Sequence, residues 1–313
     1  MTVLALAGGV GGAKLANGLA AVLPPGTLTV AVNTGDDFEH LGVLICPDID
    51  TVTYTLAGMN DLKQGWGLAG ESWAFMDAVG KLGGETWFRL GDRDMATHVL
   101  RTARLRTESL SAVTADFAAR LGITQEIVPM SDAPVRSIVS TDEGDLPFQD
   151  YFVRRQCAPR FFDIRFEGAA QASPSAGFLA ALEDPALEAI IFCPSNPLLS
   201  IAPILAVPGV RDRIASRRVP CVALSPFIAG QAVKGPAAKI MDELGLATTP
   251  AAVAAQYAGL IDGLVIDCAD EVAQSPGGPA LLATDSLMRD AADQRRLAGE
   301  MLAFARGLAA PEG

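Results

Sequence analysis

The stretch Met1-Thr2-Val3-Leu4-Ala5-Leu6-Ala7-Gly8-Gly9-Val10-Gly11-Gly12-Ala13-Lys14 decides the fold. An apolar run of strand length stops at paired glycines, and from Ala13 to Leu23 the residues Leu15, Leu19, Val22 and Leu23 recur at helical spacing until Pro24 and Pro25 end the pattern. This reads as strand, glycine loop, helix. A second apolar run, Leu28 to Val32, has no polar alternation and ends at Asn33-Thr34-Gly35-Asp36-Asp37. A run of that kind fits a strand buried on both faces, as in a parallel sheet covered by helices.

Later runs extend the pattern. Ala189 to Phe192 and Cys221 to Leu224 each end in a Pro/Ser turn, and Gly263 to Asp267 stops at an acid. The class that follows is α/β, a Rossmann-like, doubly wound, mostly parallel sheet. Between Thr51 and Gly122 helical spacing occurs around Ser72 to Leu82, Met95 to Leu105 and Leu110 to Leu121, without a convincing buried strand. Residues 51–122 are therefore predicted to be a helical insertion subdomain in a nucleotide- or diphosphate-binding core made of 1–50 and 123–313. Alternation in Val135 to Ser140 and Tyr151 to Arg154 predicts short antiparallel or edge strands.

Composition narrows the function. The 313 residues are 50% hydrophobic and 19% charged, enough apolar material for a globular core. Lys and Arg number 24 against 36 Asp and Glu, a net charge of -12 that repels a polyanion and excludes duplex nucleic acid as a partner. Five scattered cysteines form no C-x-x-C pair, so neither a disulfide framework nor a thiolate zinc site is indicated. No apolar run approaches the roughly 20 residues that span a bilayer, and no basic leader precedes the first strand. A cytoplasmic protein without membrane contact is the expectation.

Several segments could carry chemistry. Gly8, Gly9, Gly11 and Gly12 with Lys14 make a phosphate-loop candidate, because glycines let backbone N–H groups converge at a helix N-terminus. The segment fails the dinucleotide fingerprint, whose third small position falls on Lys14, and it fails the P-loop pattern, since Leu15 follows Lys14. A glycine turn that only packs strand on helix is the alternative. Asn33, Asp36, Asp37, Asp48 and Asp50 gather carboxylates near the carboxyl edge of the sheet. Ionised together they repel one another, whereas a hard divalent cation neutralises them, and Mg²⁺ bridging a diphosphate is the natural reading. Ordinary turn and helix-cap aspartates are the alternative, strongest for Asp36. Ser195 and Asn196 lie in a polar turn after a later strand, where open α/β sheets bind ligands. Lys234 and Lys239 could face an anion at a helix start. Arg89 to Asp94 precedes a helix containing His98, Arg101 and Arg104; arginines there can grip a phosphate or carboxylate, and His98 is expected to pack or cap.

In order along the chain stand A-G-G-V-G-G-A-K, V-N-T-G-D-D, C-P-D-I-D-T-V-x-Y-T-L, G-W-G-L, L-G-D-R-D-x-A-T-H, P-M-S-D, P-F-Q-D-Y-F-V, P-S-N-P-x-x-S-I-x-P-I-L and K-G-P-A-A-K, from Ala7 to Lys239, continued by Thr284 to Met288. With these blocks the sequence closely resembles the 2-phospho-L-lactate transferase family, which builds the deazaflavin coenzyme factor 420.

The resemblance implies transfer of a phosphoryl-linked three-carbon acid from a guanosine diphosphate-type donor to the terminal ribityl hydroxyl of the deazaflavin Fo, with GMP leaving and Mg²⁺ required. Carried onto matching positions, deazaflavin binding falls on Asp50 and Arg89, metal binding on Asp36 and Asp50, and catalysis on Asp50. A Rossmann-like core with a helical subdomain and a homodimer are also implied. Cys193 and Val233-Lys234-Gly235-Pro236 depart from the archaeal pattern, and the second of these resembles the bacterial branch, which implies a donor carrying phosphoenolpyruvate or 3-phosphoglycerate instead of 2-phospho-L-lactate. Two other readings compete: an NAD- or nucleotide-sugar-dependent enzyme with Asp36 on a ribose hydroxyl, against which the broken fingerprint at Lys14 counts, and a nucleotide-sugar-binding regulator, which would not be expected to keep C-P-D-I-D and L-G-D-R-D together.

Overall fold

Seven parallel strands make the main sheet of the computed structural model, which describes residues 2–232, 237–270 and 277–309. They are β1 (Thr2–Ala7), β2 (Leu28–Val32), β3 (Glu126–Pro129), β4 (Leu187–Phe192), β5 (Cys221–Leu224), β6 (Gly263–Asp267) and β7 (Ala280–Thr284). Their spatial order is β7-β6-β5-β4-β1-β2-β3. The chain thus winds outward from β1 to one edge, returns, and winds to the other, which is the doubly wound Rossmann-like arrangement.

Strand alternation divides the apolar residues between two cores. Val3, Ala5 and Ala7 of β1 face one layer, with Leu15 and Leu19 of helix α1 (Gly9–Val22) and Leu297 and Met301 of the long helix Ala291–Ala309. Leu4 and Leu6 face the other, with Phe178, Ile204 and Val210. Both faces of the strand are buried, which is why its sequence lacks polar alternation.

Helix α2 (Pro47–Leu56) precedes the three expected helices of the insertion, α3 (Ala74–Lys81), α4 (Asp94–Arg104) and α5 (Leu110–Arg120). Helix α2 runs straight through the boundary placed between residues 50 and 51, because Ile49 and Val52 both enter the core layer shared with α1. Leu110 and Ala118 of α5 enter the same layer. The residues that leave the sheet layers are those between these two helices.

Other differences have local causes. Helix α1 begins at Gly9, not after the glycines, because the glycines themselves form its first turn. Strand β3 escapes a reading by pattern, being four residues long with a terminal proline; β7 does so because it is a half-exposed edge. Residues 136–167 do form an antiparallel sheet, of Arg136–Thr141, Gly144–Pro147 and Phe161–Glu167. Asp150–Arg154, however, is a π-helical turn and not a strand: the Arg155 N–H bonds the Asp150 carbonyl at 2.9 Å while Tyr151 is buried edge-on to Phe161. Lys234 lies outside the described residues.

Candidate functional site

The order of the sheet places the ends of β1 and β4 side by side at the point where the winding reverses, where open α/β sheets bind ligands. Gly8 follows β1 and Cys193 to Asn196 follow β4. The Gly8 N–H donates to Ser195 Oγ at 3.0 Å, and that hydroxyl donates to the Gly8 carbonyl at 2.8 Å. Asp48, in the first turn of α2, straps this corner to β2: its Oδ1 accepts from the Gly9 N–H at 2.8 Å and its Oδ2 from Asn33 Nδ2 at 2.9 Å. Asn33 Oδ1 in turn accepts from the Gly35 N–H at 2.8 Å.

The glycines are required by this close approach. A Cβ on Gly8 would stand 2.6 Å from Asp48 Oδ2, and one on Gly12 2.5 Å from Ser195 Oγ. Gly8 and Gly9 therefore spend their N–H groups on protein partners, and the glycine segment serves at least to dock two loops. Lys14 reaches the Met288 carbonyl with Nζ at 2.8 Å. Asn196 caps the turn Pro197–Ile201, its Oδ1 accepting from the Leu198 and Leu199 N–H groups at 2.9 and 3.1 Å. Lys239 is held by Glu243 and the Pro159 carbonyl.

Beside Asp48 the acids are poorly satisfied. Thr34 Oγ1, Asp36 Oδ1 and Asp37 Oδ1 are buried without a hydrogen-bond partner. Burial, followed by the neighbouring Asp48 charge, pushes the Asp36 carboxyl well above its usual range. Burial likewise pushes Asp37 up to about 7, with Arg136 opposing, and Asp48 up to about 6, with Asn33 and Gly9 opposing. Orphaned oxygens on desolvated acids are the donor set that a hard divalent cation accepts.

That burial has a measurable sign. Asp37 holds its proton in the folded protein up to about pH 7 but releases it near 4 when unfolded. Its contribution to stability is complete below the unfolded value and is lost as pH rises through the folded one. In metal-free buffer the unfolding free energy of Asp37→Asn should match wild type near pH 4 and exceed it near pH 8 by on the order of 2 to 4 kcal/mol, seen as a higher melting temperature at the upper pH. Parallel melting-against-pH curves for the two proteins would show that no such buried charge forms.

Asp50 lies two residues from Asp48, and the structure surrounds it differently from Asp36. Both its oxygens are gripped by Arg101 of α4, Nη1 at 3.0 Å from Oδ2 and Nη2 on Oδ1. Of the arginines in α4, this is the one that meets a carboxylate in the site, and it is 2% exposed. His98, also buried, has Nδ1 3.7 Å from Asp50 Oδ2 and Nε2 3.4 Å from Asp94 Oδ2. Among the described residues Asp50, Asp94 and His98 are a group close enough to share an ion, whereas Asp36 belongs with Asp37 and Asp48. The part played by Arg101 was not legible beforehand, since nothing in its spacing relates it to a residue 51 positions earlier.

Arg89 is exposed and stacks over the Trp73 ring, 4.3 Å from its centroid. Next to it in sequence, Trp87 and Phe88 meet Phe38 and His40 of the hairpin that follows β2, ring centroids 4.8 to 6.1 Å apart. The insertion and the core thus meet on an aromatic seam beside Arg89.

A family model described as 2-phospho-L-lactate transferase CofD matches residues 3–278. The chain belongs to that family. It is 43% identical over 316 residues to a phosphoenolpyruvate transferase of Kitasatospora aureofaciens, covering 97% of this chain and 98% of the relative. To a 2-phospho-L-lactate transferase of Methanosarcina acetivorans it is 37% identical over 300 residues, covering 95% and 96%. The fold is shared with a crystallised UPF0052-family protein of Bacillus halodurans, TM-score 0.61 at 13% identity over 96% of this chain and 98% of that one. The protein is a transferase of the CofD family, and among its described residues no helix is long and apolar enough to cross a membrane.

Proposed function

We propose that the protein transfers a phosphoryl-linked three-carbon acid from a guanosine diphosphate-type donor to the terminal ribityl hydroxyl of Fo, releasing GMP. Phosphoenolpyruvate is the acid favoured, because the bacterial relatives at 43% and 39% identity carry that name. The observation that supports the reading is the cluster of partnerless buried oxygens on Thr34, Asp36 and Asp37 after β2, one strand from the reversal of the sheet and beside Asp48.

The chemistry balances on this chain's own groups. The hydroxyl oxygen of Fo forms a bond to the phosphorus that bears the acid, the bond from that phosphorus to the bridging oxygen breaks, and GMP leaves with the electron pair. Asp50 takes the hydroxyl proton: bidentate Arg101 occupies two of the four lone-pair positions of its carboxylate and leaves two. Arg89, exposed on Trp73, offers donors to the polar edge of the deazaflavin. In such a transfer, alignment and charge neutralisation do most of the work. Asp36 and Asp37, whose orphaned oxygens are free of Arg101, would hold Mg²⁺ rather than Asp50, and the ion would supply positive charge against the developing charge on phosphate.

Purified protein is to be incubated with Fo, Mg²⁺ and, in turn, guanylyl donors carrying phosphoenolpyruvate, 2-phospho-L-lactate and 3-phosphoglycerate. A phosphodiester of Fo and an equivalent of GMP are expected, fastest with the first donor. No product from any donor overturns the reading, and NADH consumption would point to an oxidoreductase. Asp36→Asn keeps the shape of the side chain and removes a charge, so the Mg²⁺ concentration for half-maximal rate should rise roughly tenfold. An unchanged Mg²⁺ requirement returns Asp36 to the role of a turn residue.

A further inference from the structure

Behind Asp50 lies a polar seam between two helices. On α2, Asp50 and Tyr54 are one turn apart; on α4, Asp94, Thr97, His98 and Arg101 form the facing stripe. Arg101 grips Asp50 from one side. The His98 ring stands between Asp50 and Asp94, one nitrogen toward each. The Tyr54 hydroxyl bonds Asp94 and Thr97, the latter at 2.9 Å. Glu71 fixes the start of α4 by accepting from the Arg93 and Asp94 N–H groups at 2.8 and 2.9 Å.

An ion pair that only welds α4 to α2 would be an inefficient weld, because desolvating both charges cancels most of their attraction and apolar side chains of the same volume do as well or better. It would also leave no reason for His98, whose two nitrogens are buried without a hydrogen bond. Distances of 3.7 and 3.4 Å put the imidazole just short of bonding either carboxylate. A small rotation of Asp50 brings Nδ1 into bonding distance, and Asp94 backs the ring on its far side. That is the arrangement of a carboxylate held in one of a few orientations. A cation shared by Asp50, Asp94 and His98 is less consistent with the contacts, since the Arg101 guanidinium already lies on both oxygens of Asp50.

We propose that Arg101 and His98 are positioning residues that set the orientation of the Asp50 carboxylate, Arg101 by its bidentate grip and His98 by limiting rotation about it. The proposal rests on the reading of Asp50 as the group that acts on the acceptor hydroxyl. A cavity of about 190 Å³ borders Asp50, Tyr54 and Arg101, so that a shortened side chain at position 101 meets existing space.

The test is a double-mutant cycle on the full-length protein at steady state, with Fo and Mg²⁺ saturating and the phosphoenolpyruvate-bearing guanylyl donor varied in excess over enzyme, followed over long incubations so that slow variants are still read. Arg101→Lys keeps the charge and loses the fork; His98→Gln keeps a donor and loses the ring. In the wild-type background Arg101→Lys should lower kcat on the order of 10- to 100-fold and His98→Gln about tenfold, with the donor KM unchanged. In the Asp50→Asn background each should cost less than about threefold, because residues that act through Asp50 have nothing left to orient. Melting curves of all variants separate this from a weld, which would lower the melting temperature in the wild-type background, less once Asp50 is already Asn, and leave kcat alone.

Equal losses in the two backgrounds, or wild-type turnover in both single variants, overturn the proposal while leaving the reading of Asp50 standing. Near-full turnover of Asp50→Asn overturns that reading and the proposal together. If Arg101→Lys does not fold, His98→Gln carries the cycle alone.

Discussion

Asp50→Asn is expected to lower kcat by roughly 10²-fold or more while the protein stays folded. The substitution preserves the volume of the side chain and one acceptor oxygen for Arg101, but it removes the charge that takes the hydroxyl proton. Some stability must go with it. Arg101 is 2% exposed, and a buried guanidinium left without its counter-charge typically costs about 3 to 5 kcal/mol, less where an amide oxygen remains. Kinetics should therefore be measured well below the lowered melting temperature, beside a melting curve for each protein. The loss should fall on kcat more than on the KM for Fo, because a group that acts on the reacting proton matters most in the transition state. A variant that melts lower yet turns over at nearly the wild-type rate would make Asp50 a helix-packing residue and nothing more.

Gly18→Ala should produce the largest change in stability remote from the site. Gly18 lies in α1 where that helix crosses Ala291–Ala309, and a Cβ there would stand 2.2 Å from the Gln294 carbonyl oxygen and 3.2 Å from the Ala298 Cβ. The obstacle is backbone, which cannot rotate away, so the two helices must separate. Alanine gains about 1 kcal/mol over glycine in helix propensity, but overpacking of this kind costs about 3 kcal/mol or more. The net effect is a melting temperature lower by several degrees, about 2 to 4 °C for each kcal/mol in a chain of this size class. Gly299→Ala is the control. It lies in the same long helix with nothing within 4 Å of its Cβ, so only the propensity gain remains and the melting temperature should hold or rise. The same fall in both variants would mean that the helix crossing is not what requires glycine at position 18.

Strand-length apolar runs without polar alternation were sufficient to place β1, β2, β4, β5 and β6, because a strand covered on both faces has no polar position to interrupt it. The helices of the insertion were legible from their spacing for a similar reason: one face packs and the other is wet. The acids at the end of β2 and the start of α2 also declared themselves, since five polar residues at a sheet edge are conspicuous in a chain otherwise half apolar. Sequence alone therefore determined the sheet class and the helices α3, α4 and α5, and it pointed to the sheet edge where the site is proposed.

Pairings across the chain were decided by the tertiary structure. Asp48 could be read as an acid before a helix, but not as the strap between Gly9 and Asn33; Ser195 could be read as a turn residue, but not as the partner of Gly8 across 187 positions. Arg101 and His98 looked like one face of a helix and prove to be the surroundings of Asp50. The physical reason is common to all of them. Periodicity records which side of an element is buried, whereas a hydrogen bond or ion pair between distant segments depends on how two buried sides are brought together. That information exists only once the sheet has ordered its strands and α4 has settled against α2.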